Sequence, residues 1–372
     1  MQPIRRLGVR AAVAALVLVV GQTAVASAAP PPWRADDPAA GPSRFANELR
    51  GVAAIPGTSA FWAVGWHLRN GRHQALIERR RTAAGWTHFA APVWSRGAEL
   101  EAVVARSADD AWAVGERGRT TAPGTRPVAL HWNGVAWASV PAANLGVSAK
   151  LAAVTVSGTG RIFAVGSYSS RASSGHSLVE RFDGSAFIQV PIARTHGLAG
   201  IASGAGGSLW VGGNGHTAVL LHRPARSASW HLVSGMPLHL RTTITSVLVT
   251  GPGTTVWVFG EHYTSATTRV ALVERYQAGA WTVVSGLAGG ENVTSAARLG
   301  SRGFLAAGTT ATGVFVWSDD GATLTAMTVP QPVANPANAR ILGIARTSSA
   351  IAELVGWRRL SGGMFPFAER NP

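Results

Sequence analysis

Two glutamates, Glu116 and Glu261, each stand directly behind a glycine that closes a short apolar run, where carboxylates could serve as the acid and base of a polysaccharide hydrolase or lyase. After other glycines the same place holds Trp66-His67, Ser167-Tyr168, Asn214 and Trp357-Arg358, while Arg117 follows Glu116 and His262-Tyr263 follows Glu261. Flat rings stack on sugar or peptide faces, and carboxylate and guanidinium groups take hydroxyls and charges. The candidate ligand-binding residues are therefore Trp66, His67, Glu116, Arg117, Tyr168, Glu261, His262, Trp357 and Arg358. Stacking falls to the two Trp, hydrogen bonding to Glu116 and a titratable donor to His262.

Other chemistry is excluded by residue type or missing motifs. The chain has no Cys, which rules out thiol nucleophiles, thiolate metal sites and a lipid-modified leader. It has no His-Glu-x-x-His, no phosphate loop, no calcium loop and no Gly-x-Ser-x-Gly elbow. No catalytic residue, cofactor or metal is assigned. The formal charge is +15, carried by arginine apart from Lys150. The arginines form no basic run or aromatic-basic stripe, so the charge reads as compositional bias in an Ala/Gly/Arg-rich chain, and nucleic acid is not an expected partner.

The elements that must hold these residues recur. The closing glycines are Gly65, Gly115, Gly166, Gly213, Gly260, Gly308 and Gly356, at steps of 50, 51, 47, 47, 48 and 48 residues. Upstream of each lies an apolar pair three apart, such as Leu49/Val52, Leu100/Val103 and Ile244/Val247, which reads as one short strand. The glycine-ended runs, Ala111-Trp112-Ala113-Val114 among them, are apolar at consecutive positions and should be buried on both faces, with Trp112 and Trp257 in the core. A third strand ends in charge, as in Leu76-Ile77-Glu78-Arg79, and a fourth opens near Trp86, Trp137, Phe187, Trp230, Trp281 or Leu324. Asn133-Gly134 and Asp183-Gly184 mark hairpin turns between the last two strands.

Four antiparallel strands repeated seven times at this period predict an all-β, seven-bladed β-propeller. The seventh repeat stops after three strands, and Trp33 stands alone ahead of the first, so an N-terminal strand is expected to close the last blade and remove a free sheet edge. The repeated Glu-Arg dipeptides Glu78-Arg79, Glu180-Arg181, Glu274-Arg275 and Glu369-Arg370 put their two side chains on opposite sheet faces. They are expected to make blade-to-blade contacts, not a catalytic dyad.

Arg5, Arg6 and Arg10, the apolar run from Ala11 to Val20 and Ala26-Ser27-Ala28 form the three parts of a secretory signal peptide. Residues 1–28 are read as that leader and 29–372 as one propeller domain of 344 residues, about 49 per blade. Loss of the three leader arginines takes the charge from +15 to +12. A secreted, extracellular monomer without a membrane anchor is expected.

The Ala-Trp-Ala-Val-Gly strand and the Trp132-Asn133-Gly134-Val135-Ala136-Trp137 hairpin resemble the repeats of secreted bacterial β-propellers, broadly similar to kelch and galactose-oxidase-like propellers. No named subfamily is matched closely: the kelch glycine doublet stands in one repeat only, as Gly212-Gly213, and Asp319-Asp320-Gly321 resembles a single, degenerate aspartate box. A copper-radical site does not follow, because it needs a Tyr-Cys cross-link. The resemblance implies that the loop from second to third strand opens on the ligand-carrying face, which would gather the residues after the glycines around the channel mouth. The expected function is non-catalytic binding of an extracellular glycan, cell-wall polymer or protein. A hydrolase or lyase using Glu116 and Glu261 is the alternative, although these two stand almost across the ring and glycosidase carboxylates must lie about 5 to 9.5 Å apart.

Overall fold

Each repeat folds as its apolar pattern requires, which blade one shows in the strands Asn47–Ala54, Phe61–Arg69, Arg72–Arg81 and Gly85–His88. The second strand is buried along nearly all its length, and the fourth turns outward. The computed structural model describes residues 33–38, 46–81, 85–118, 124–173, 175–192, 197–214, 217–237, 239–251, 254–284, 292–321, 323–330, 338–348, 350–361 and 363–371. The expected leader lies outside them. Among the described residues there are seven antiparallel four-stranded sheets. The first strand of each packs beside that of the next, and the seventh beside the first, so the sheets close into a seven-bladed β-propeller.

The seam is closed as the sequence leads one to expect. Ala339–Arg346, Ala352–Leu360 and Gly363–Asn371 supply three strands of the seventh blade, and Arg34–Ala35 adds the fourth in register Arg34↔Arg370 and Ala35↔Glu369. Trp33 is buried among Ile341, Leu354 and Phe367 of that blade and Leu305 and Val316 of the sixth. Asp36 continues across to blade one, where its carboxylate accepts from Arg80 Nε at 2.6 Å and its backbone carbonyl from Trp86 Nε1 at 2.6 Å.

One irregularity is repeated in every blade. The first strand bulges opposite the closing glycine of the second: Leu49 pairs with Gly65 and Gly51 with Val64, which leaves Arg50 as the extra residue. The equivalent extra residues are Glu101, Ala152, Ala199, Thr245, Thr294 and Leu342. This explains the glycine. A Cβ on Gly65 would lie 1.9 Å from the Glu48 carbonyl oxygen, and one on Gly115 2.0 Å from that of Glu99. The residue after the bulge is always small (Gly51, Ala102, Ala153, Gly200, Ser246, Ser295, Gly343), because neighbouring first strands approach there; a Cβ on Gly51 would meet Ala102 Cα at 2.9 Å.

Between blades the core is aromatic. Trp62 meets Trp132 and Trp137 across the boundary of blades one and two and Phe89 of its own blade. Trp112 and Trp257 are buried as expected, with Trp112 Nε1 donating to Asp110 and Trp257 Nε1 to Thr250. The Glu-Arg dipeptides are structural: Glu78, Glu180, Glu274 and Glu369 are all buried, while Arg79 turns to the other face and lies 5.0 Å over Trp62. Burial pushes the Glu180 carboxyl up to about 8 against the pull of the Ala143 amide. The Glu369 carboxyl also reaches about 8, through burial and the nearby Asp37 charge, with Arg358 opposing.

Candidate binding site at the channel mouth

The seven bulged residues face the ring axis and line a cavity of about 490 Å³. Five of them are Ala, Thr or Leu. Thr245 and Thr294 turn their hydroxyls onto the Val293 and Ile341 carbonyls of the next blade, so their polarity serves the ring. Of the seven, only Arg50 and Glu101, on adjacent blades and of opposite sign, are charged, and Glu48 joins them in lining the cavity.

Arg50 is clamped by three carboxylates. Its Nε donates to Glu48 at 2.6 Å, and its Nη1 reaches Glu101 at 2.5 Å and Glu99 at 2.8 Å. Burial pulls the guanidinium pKa down, but Glu101, Glu48 and Glu99 outweigh it and hold the group well above its ordinary value. The other Glu99 oxygen lies 2.7 Å from His73 Nδ1, and the His73 ring is stacked on Trp66 with centroids 3.6 Å apart.

Directly across the strand pair from Glu99 stands Glu116. It is 7 % exposed and has no hydrogen-bond or ion-pair partner among the described residues. Carboxylate oxygens of Glu99, Glu101 and Glu116 lie within 4.8 Å of one another. Burial raises the Glu101 pKa, the Glu116 and Glu99 charges add to this, and Arg50 and Lys150 oppose it. A cavity of about 190 Å³, lined by Arg72, His73, Arg96, Gly97, Glu99 and Glu116, leads from this cluster outward. Three of the four carboxylates thus pair with one guanidinium, Glu99 also with one imidazole, while Arg72 and Arg96 line the cavity beside Glu116 and the Lys150 charge acts on Glu101. The trio of Glu99, Glu101 and Glu116 is a hard oxygen set of the kind that suits Ca²⁺, Mg²⁺ or Mn²⁺. Two of its members already serve Arg50, which leaves Glu116 to receive a second cationic group beside it.

The structure corrects the placement of the sequence-predicted residues. They do not sit in loops, because the second strand runs on past each closing glycine: Phe61–Arg69, Asp110–Arg117, Ile162–Ser169, Thr255–Tyr263 and Ala352–Leu360. Nor do they converge as a rim, since the second strand stands one step out from the axis. Trp66 is 4 % exposed beneath His73, so it offers no ring face to a sugar. His67 is buried, and its pKa falls to about 4 through burial and the charges of His88 and Arg69. Tyr168 stacks on His176. Glu261 pairs with Arg269 at 3.1 Å, and the His262 ring packs on His239 with its pKa lowered by burial and that neighbour. Arg358 reaches Asp37 of the closing segment at 2.6 Å, a seam contact, beside half-buried Trp357. Arg117 is exposed and lines, with Trp94 and Arg126, a cavity that adjoins the one beside Glu116 at Arg96 and Gly97. Glu116 and Glu261 belong to blades two and five, and the cavity beside Glu116 does not include Glu261.

Of the predicted set, then, Glu116 joins the cluster, with Trp66 supporting it through His73. Glu48, Arg50, Glu99, Glu101 and His73 were not foreseen. Their signal is visible once the seven first strands are superposed: only blades one and two place Glu before the paired Leu and a charge after it, in Glu48-Leu49-Arg50 and Glu99-Leu100-Glu101.

No protein-family model matches the chain, and no curated protein matches it. Among solved structures, the chain is similar to that described as YCF48 bound to D1 peptide, with TM-score 0.59 and 12 % identity over 91 % of this chain and 96 % of that one. It is also similar to the WD40 β-propeller domain of Doa1, with TM-score 0.57 and 13 % identity over 90 % and 96 % of the two chains. A third similar structure is Chaetomium thermophilum Sqt1, with TM-score 0.56 and 13 % identity over 87 % and 83 %. At these identities the likeness establishes the propeller fold.

Proposed function

We propose that this protein is a non-catalytic binding module that receives a lysine or arginine side chain of a peptide or protein partner between blades one and two at the channel mouth. The observation that carries the reading is Glu116, nine-tenths buried, without a partner among the described residues, and clustered with Glu99 and Glu101. A cation brought within 4 Å of such a carboxylate gains about 4 kcal/mol at an effective dielectric of about 20, before its own desolvation is counted. A propeller scaffold suits such a role, and a propeller of similar fold is described as bound to a peptide. A glycan is the weaker ligand, because covered Trp66 leaves the cluster without an open stacking platform. The tripartite start of the sequence supports export, with the mature chain beginning near Ala29; mass spectrometry of the protein recovered from the medium tests this, and a retained Met1 refutes it.

The binding test is a positional-scanning peptide library with fixed Arg or Lys, run beside a glycan array. Selection of basic peptides, lost in Glu116→Gln and retained in Glu261→Gln, supports the site. Peptide capture indifferent to Glu116→Gln, or glycan binding without peptide binding, overturns it.

A further inference from the structure

A second site is built at the boundary of blades three and four, where arginine gathers without acid. A groove of about 780 Å³ is lined by Arg161, Arg181, Arg223 and Arg226 over a floor that includes Ile188 and Pro191, and no carboxylate lines it. Arg161 immediately precedes the second strand of blade three, and Arg181 lies on its third, opposite Phe163. Arg223, from the third strand of blade four, crosses to lie 4.9 Å over that Phe163 ring and 5.9 Å from the Trp230 ring. The planar guanidinium is thus fixed by stacking, and its Nε is buried with no hydrogen-bond partner.

None of the four arginines makes an ion pair among the described residues, and burial together with the Arg161 and Arg181 charges lowers the Arg223 pKa. Glu180, adjacent to Arg181, is buried and does not line the groove, and Asp183, two residues on, is held by its own turn, where it accepts from the Ser185 and Ala186 amides. Arg226 is held at φ 62 in a turn closed by Ser227 N to Pro224 O. That left-handed backbone disfavours a residue with a Cβ, so a glycine would fit the turn better than the arginine that occupies it. Four guanidiniums lining one groove without an ion pair among the described residues match the charge and fork geometry of a tetrahedral oxyanion better than those of a neutral ligand.

We propose that this groove binds a polyanion through its phosphate or sulfate esters, independently of the channel-mouth cluster. The test uses the full chain with sodium tripolyphosphate and a sulfated hexasaccharide as probes, and poly-glutamate as the carboxylate control. In the double variant Arg161→Glu, Arg226→Gly, affinity for at least one of the two probes is expected to fall at least tenfold. The dependence of log Kd on log salt should become shallower by about two, one for each arginine that no longer neutralises an anionic group. Arg226→Gly relieves the left-handed turn, so its melting temperature should hold or rise while binding weakens, which separates a role in holding the ligand from a structural one. Which probe binds distinguishes a phosphate-bearing from a sulfate-bearing ligand. Unchanged affinity in the double variant, an equal loss in the distant surface variant Arg359→Glu, or equally tight binding of poly-glutamate each overturns the assignment.

Discussion

Stability of this fold should fall as pH rises above neutrality, opposite to the trend for carboxylates paired in the native state. Glu180 is wholly buried on the third strand of blade three and Glu369 nearly so on that of blade seven, and each carboxyl has a pKa of about 8 in the fold against an ordinary 4.5. The folded chain therefore binds more protons than the unfolded chain between these values. The contribution of each group is complete below about pH 4.5, declines through the interval and is gone above about pH 8. From pH 5 to pH 8 each loses about 4 kcal/mol, three pH steps at about 1.4 kcal/mol per step, and less where water enters to solvate the anion.

His67 works in the other direction. Its folded pKa of about 4 lies below the ordinary 6.5, so its contribution is complete above pH 6.5 and is lost as pH falls toward 4. Burial also raises the Glu101, Glu274 and Glu353 carboxyls and lowers the His222 and His262 imidazoles, so five carboxylates against three imidazoles leave a gentler decline below pH 6.5 and a steeper one above it. Denaturant midpoints measured at half-unit intervals should trace that curve. Glu180→Gln keeps the shape and removes the titration, so it should change little at pH 5 and stabilise by a few kcal/mol at pH 8. An effect of Glu180→Gln that is the same at both pH values, or a profile flat from pH 6.5 to 8, refutes the reasoning.

Two further outcomes test the scaffold. Trp112→Ala removes a ring packed on His131, Phe182 and Phe187 and is expected to cost about 3 to 5 kcal/mol in denaturant unfolding. A cost below about 1 kcal/mol would place that strand outside the inter-blade core. Asp36→Ala strands the nearly buried Arg80 guanidinium at the seam and should cost about 3 kcal/mol while raising the rate of aggregation through the exposed edge of blade seven; wild-type stability and solubility would show that the closing segment does not lock the ring.

The fold was legible because every blade repeats the same geometric demand. The closing glycine is required by the bulge that faces it, and the small residue after the bulge by the neighbouring strand, so both recur whatever else the repeat does. Trp33 could be placed as a closing strand because the period left one strand missing and one aromatic spare. The site was less legible because it departs from the repeat. Position after the glycine picked out Glu116 but also Trp66, His262 and Arg358, since distance from a glycine says which strand a residue is on and not whether its face is already taken by a neighbour such as His73, His239 or Asp37. Scatter of arginine along the chain likewise hid the groove, where residues up to 65 positions apart, from Arg161 to Arg226, meet only because blades three and four pack side by side.

The bulge links the scaffold to its chemistry. An extra residue in the innermost strand points one side chain per blade at the axis, and that side chain is under no packing demand from the blade core, which is filled by Leu49, Leu100 and their equivalents on either side. A propeller can therefore change what stands at those seven positions without changing the blades. Here five positions carry small or aliphatic groups or close hydrogen bonds between blades, and charge is confined to Arg50 and Glu101. Electrostatic asymmetry of that kind gives a ring of similar blades a single preferred direction of approach for a charged ligand, and it places the cluster of Glu48, Glu99, Glu101 and Glu116 where that approach ends. The outer groove uses the complementary resource, the seam between two blades, to concentrate the opposite sign. Two sites of opposite charge on separate blade boundaries can then be occupied together, because neither draws on the residues of the other.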